Sequence, residues 1–82
     1  MNNARPVKFL RWEIDADVCG ETAAFAIGAR ELDLVVTFRG DGAYSWDVVD
    51  ASNLITSGVA NTVKEARKAA ENAGRRTFIC TI

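Results

Sequence analysis

Between Leu32 and Ala60 the chain runs through three stretches of alternating character with little between them. Leu32, Leu34, Val36 and Phe38 alternate with Asp33, Val35, Thr37 and Arg39. Tyr44, Trp46 and Val48 alternate with Ser45, Asp47 and Val49, and Leu54 to Ala60 forms the third stretch. Successive side chains on a strand point to opposite faces, so a period of two marks strands with one buried face. The breaks are Gly40-Asp41-Gly42 and Asp50-Ala51-Ser52-Asn53, both rich in turn formers. Connections this short join neighbouring strands antiparallel. The sequence therefore predicts a three-stranded meander.

A helix follows it. Thr62-Val63-Lys64-Glu65 fits a capping box, in which the Thr hydroxyl accepts from the Glu amide and the Glu carboxylate reaches back. Val63, Ala66, Ala69, Ala70 and Ala73 recur at helical spacing, and their small side chains let a helix lie close to a sheet. Gly74 stands where a left-handed C-cap is expected. These signals predict a helix over 62–73. Thr77 to Ile82 is β-branched and aromatic and reads as a last strand. Near the start, Lys8 to Ile14 alternates with Leu10, Trp12 and Ile14 on one side, which predicts another strand. Asp15 to Glu21 reads as an acidic loop, and Thr22 to Ile27, short and apolar, as a strand or one turn of helix, strand being the preferred reading. The expected fold class is α+β: an antiparallel sheet of about five or six strands with one helix packed on one face.

The chain has 82 residues, 49% hydrophobic and 26% charged, which suits one ordered domain over residues 1–82 rather than a disordered segment. Its apolar runs are too short to span a bilayer, and MNNARPVKF lacks the apolar core of a signal peptide. A soluble cytoplasmic protein is the expectation, with no membrane partner. In that compartment Cys19 and Cys80 read as free thiols; a bridge requires the fold to bring them together.

Few chemistries fit. There is no histidine, so the commonest general base and metal ligand are missing. Asp15, Asp17 and Glu21 around Gly20 suggest a calcium loop, but counted from Asp15 the bidentate Glu position falls on Ala26. Arg39-Gly40-Asp41 reads as a hairpin tip. Cys19 has no basic neighbour in sequence to lower its pKa and reads as structural. Trp12 and Trp46 read as core anchors. Phosphate-binding, dinucleotide-binding and nucleophile-elbow motifs are all missing. The expectation is a non-enzyme with no cofactor and no metal.

Charge is sorted along the chain. Residues 1–12 carry Arg5, Lys8 and Arg11 without an acid. Residues 13–60 carry nine acids against Arg30 and Arg39, and residues 61–82 carry five bases against two acids. The sheet region is then acidic and the helix side basic, which is either internal compensation within a soluble domain or a polarity that suits recognition of an oppositely charged partner. The residues that would meet a basic protein surface are Asp33, Asp47 and Asp50 on the strands and Asp41 at the hairpin tip. The alternative is nucleic-acid binding through Lys64, Arg67, Lys68, Arg75 and Arg76.

Two resemblances bear on this choice. The run from Gly42 to Arg76 resembles the three-strands-then-helix module of phage-type integrases, through Trp46, Ser57-Gly58 and Thr62-Val63-Lys64-Glu65-Ala66. That module lays its sheet in DNA, where Lys and Arg meet phosphates; these strands offer Asp33, Asp47 and Asp50 instead. In format the chain also resembles small phage and prophage anti-CRISPR proteins: one small domain, no catalytic equipment and an acidic surface. That resemblance implies an inhibitor whose carboxylates fill the basic channel of a nucleic-acid-binding complex.

Overall fold

The computed structural model describes residues 10–27 and 29–80. Among these residues five strands and one α-helix follow each other: β1 (Glu13–Asp15), β2 (Gly20–Ile27), β3 (Arg30–Phe38), β4 (Tyr44–Asp50), β5 (Asn53–Ala60) and α1 (Val63–Cys80). The strands pair in chain order, β1-β2-β3-β4-β5, every pair antiparallel. This is the α+β architecture expected, with α1 laid across β3, β4 and β5.

The alternation read in the sequence is the register of the sheet. Ala23, Leu34 and Val48 form one cross-strand row, and Glu21, Val36, Trp46 and Gly58 form the next. Leu32, Leu34, Val36 and Val48 are buried beneath α1 together with Phe25. The helix answers with Ala66, Ala70 and Ala73, buried in their turn. Burying a side chain of the size of these Leu, Val or Phe residues contributes about 1.5–3 kcal/mol, so this row is the main apolar term of the fold.

The tight turns follow their residues. Asp41 Oδ1 accepts from the Ala43 amide at 3.0 Å, and the Arg39 amide donates to the Ala43 carbonyl at 3.1 Å. Gly40 and Gly42 take φ of 86° and 89°, a left-handed backbone open to glycine at little cost. Between β4 and β5 only Ala51 and Ser52 intervene, with φ of 51° and 75°. Two positive values in a two-residue loop give the turn whose twist matches a hairpin.

Three boundaries differ from the sequence reading. First, α1 starts as expected, with Thr62 Oγ1 accepting from the Glu65 amide at 3.1 Å, but it does not stop at residue 73. It runs on to Cys80, so residues 77–80 are helix and not a final strand; residues 81 and 82 lie outside the described residues. Gly74 is no C-cap. It sits inside the helix, where a Cβ would come 2.7 Å from the Phe25 ring. The glycine lets the helix pass over Phe25, and Thr77 satisfies its hydroxyl on the Ala73 carbonyl at 2.9 Å.

Second, the strand expected over 8–14 is short. Among the described residues only Glu13–Asp15 pairs, against Gly20 to Thr22. Leu10 and Trp12 instead pack on the core, while Ile14 is 87% exposed; Lys8 and Phe9 lie outside the described residues. Third, the acidic loop is mostly structured. Asp15 caps a turn of 3-10 helix, Ala16–Val18, by accepting from the Asp17 amide at 3.0 Å. Cys19 closes that turn at a φ of 55°, as an exposed free thiol, and β2 begins at Gly20.

Candidate interaction surface

Among the described residues, one face of the sheet carries no helix. The register puts Glu13, Thr22, Val35, Asp47 and Ser57 in one row of that face. Ala24, Asp33, Val49 and Leu54 form the next row, and Glu31 lies beyond, opposite Ala26. Asp15 shares the face at the other end, opposite Gly20. Five carboxylates therefore stand here, and the strand positions of this face hold no Lys or Arg. Apolar side chains lie among them. Val35 and Val49 are partly exposed, and Leu54 and Val59 are 62% and 57% exposed.

The face is not flat. Arg11, Glu13, Asp15, Asp33, Val35 and Val49 line a shallow hollow of about 570 Å³. Aliphatic side chains and three carboxylates share its lining with Arg11, an arrangement that suits a cationic side chain with an apolar stem. Among the described residues no group of three or more acidic or sulfur ligands gathers closely enough to hold a metal ion.

The four aspartates picked from the sequence do not form one group. Asp33 and Asp47 share the open face on adjacent strands, one opposite Val49 and the other opposite Val35. Neither has an ion-pair partner among the described residues. Asp41 stays at the hairpin tip, where it also faces Arg39 at 3.7 Å. Asp50 goes to the other face. Two residues beyond Val48, it has the parity of the core, and its Oδ2 accepts from Arg30 Nη2 at 2.9 Å.

The helix-side cations are also divided. Arg67 reaches down to the sheet, and its Nε and Nη2 donate to the two oxygens of Glu21 at 2.7 and 2.8 Å. This paired geometry holds the Glu21 carboxyl below its usual range, chiefly through the hydrogen bonds to the guanidinium, and raises Arg67 in return. Glu71, one turn later, accepts from Trp12 Nε1 at 2.8 Å. Lys64, Lys68, Arg75 and Arg76 remain on the exposed side, with Arg75 donating to Asn72 at 2.8 Å. Sequence reasoning missed the Glu21–Arg67 clasp, which spans 46 positions of chain. The helical spacing of Arg67 and Glu71, both flanking the alanine seam, was the available sign that they turn inward.

No helix among the described residues is long and apolar enough to cross a membrane. No protein-family model matches the chain, and neither does any curated protein or solved structure.

Proposed function

We propose that this chain is a non-enzymatic interaction module that docks its open sheet face on a basic protein surface. The observation that carries the reading is the composition of that face: Glu13, Asp15, Glu31, Asp33 and Asp47 without a strand cation, interleaved with Val35, Val49 and Leu54. Apolar contact supplies affinity at such a surface, and the unpaired carboxylates supply steering and orientation. Asp33 and Asp47 sit at its centre and are the residues expected to matter most. Asp50 belongs to the other face and plays no direct part.

The specific version is an inhibitor from a phage or other mobile element, acting in the host cytoplasm. Its carboxylates would take the place of phosphates in the channel of a nucleic-acid-binding complex. The format shared with anti-CRISPR proteins supports this version, and so does the lack of Lys and Arg at the described strand positions of the docking face. The alternative, nucleic-acid binding by the helix side, loses Arg67 to Glu21 and is left with four dispersed cations.

The experiment uses the wild type and an Asp33→Lys/Asp47→Lys variant as parallel baits in extract from the source cell. The expected partner is retained by the wild type alone, released by salt, and displaced by duplex DNA, because DNA and the acidic face compete for one channel. Reversal of charge should first slow association. Salt-sensitive DNA binding by the isolated protein, abolished in a Lys64→Ala/Lys68→Ala variant, would overturn the reading.

A further inference from the structure

The sheet ends in two edges that are protected very differently. β1 is three residues long and bears Glu13 and Asp15. β5 is eight residues long, and nothing among the described residues pairs with its outer backbone edge. From Ala51 to Val63 the sequence has no Lys, Arg, Asp, Glu or Pro. Edge strands ordinarily carry such residues, because an unblocked row of amides and carbonyls templates another strand. β5 has one irregularity, the extra residue Ile55 opposite the Val48/Val49 step, and Thr56 to Ala60 continue in regular register beyond it. Leu54, Ile55 and Val59 are all exposed large hydrophobics.

We propose that β5 is a self-association edge, on which a second copy of this chain adds its own β5 antiparallel to form one continuous ten-stranded sheet. Charge selects this occupant. In a twofold interface each side chain meets its own copy or a near neighbour, so a charged strand repels itself. Two open faces would bring five carboxylates against five, and two helix sides would oppose Lys64, Lys68, Arg75 and Arg76 to themselves. Of the five described strands, β5 alone has no charge to oppose.

The geometry follows from the pleat. Antiparallel partners continue one sheet only about an axis normal to it, and residues that face each other across the join point to the same side. One residue of β5 must then lie opposite its own copy. Centred on the regular stretch, that residue is Ser57 or a neighbour. Both helices fall on one side of the joined sheet, and both acidic faces fall on the other. A join of this length buries less than a standard interface of about 1,600 Å², so the dimer is reversible and concentration-dependent.

Sedimentation of the full chain, in reducing buffer to keep Cys19 from bridging copies, tests this. From about 1 µM to about 1 mM the wild type should pass from monomer to dimer. Ser57→Lys should weaken dimerisation by about tenfold or more, and so should Val59→Lys, exposed on the same strand. Mixing Ser57→Lys with Ser57→Glu should restore it as a heterodimer, while Asp33→Lys should not weaken it. A wild type that stays monomeric throughout overturns the proposal. So does a dimer indifferent to both lysine variants, provided circular dichroism shows them folded.

Discussion

Carboxylates occupy both faces of the sheet, and their company differs. On the helix side Glu21 is held by two nitrogens of Arg67, and Asp50 is held by Arg30. On the open side Asp33, Asp47, Glu13 and Glu31 have no ion-pair partner among the described residues. The reason is solvation. A carboxylate against a covered apolar surface loses water and needs a donor in exchange, whereas one on an open strand keeps its water. The acids beneath the helix are therefore part of the structure. Apart from Asp15, which caps the 3-10 turn, those on the open face have no side-chain partner among the described residues and are available to something else.

The sharpest test of this contrast compares two adjacent residues. Leu34→Ala, under the helix, should cost about 3 kcal/mol, whereas Val35→Ala on the open face should cost under about 1 kcal/mol. Urea unfolding of the pair measures both. Equal losses would mean that the open face is buried in solution. Next comes the seam of the helix. Ala66 and Ala70 have no accessible surface, so Ala70→Leu should cost about 1–3 kcal/mol by forcing α1 off the sheet. A variant that melts like wild type would remove the covered face from the comparison.

The paired acids should give a smaller, pH-dependent effect. Glu21 is 19% exposed and Arg67 39%, so a double-mutant cycle of Glu21→Gln with Arg67→Met should give a coupling of about 1 kcal/mol, discounted for that exposure. The folded-state pKa of Glu21 lies below its ordinary value. Its contribution is thus complete above the ordinary carboxylate range and is lost as pH falls through the lowered folded value. The cycle repeated down the acid limb should shrink to zero; a coupling that persists there would contradict the pairing. The smallest effect belongs to the open face. Asp33→Lys/Asp47→Lys should change stability by no more than about 0.5 kcal/mol in thermal or urea unfolding. A larger loss would show that these aspartates serve the fold.

The legibility of the chain follows the range of its interactions. β3, β4, β5 and the start of α1 are set by local pattern and turn chemistry, and each could be placed within a residue or two. Gly74 shows where local signals mislead. Read alone it is a stop, yet it continues the seam of Ala66, Ala70 and Ala73, and its reason lies across the core in Phe25. The β-branched residues after it looked like a strand because their helical period had already been closed. Asp50 is a different case. Counting on from Val48 was enough to place it on the core side, but the turn composition around it concealed the parity. Gly58 is a case like Gly74: it lies inside β5, and its reason is again across the sheet, where the Trp46 ring lies at the place a Cβ of residue 58 would take.

The strictly sequential order of the strands also bears on how quickly the molecule assembles. Each strand meets the strand next to it in the chain, so no step of sheet formation closes a loop longer than a hairpin connection. Contacts of long sequence separation come with the docking of α1, above all Glu21 with Arg67 and Trp12 with Glu71, 46 and 59 positions apart. The entropy of closing those loops grows only with the logarithm of their length, but it is repaid only when the alanine seam lands on Leu34 and Val48. Sheet formation is thus a local, fast process, and the joining of the two ends of the chain through the helix is the event that makes it cooperative.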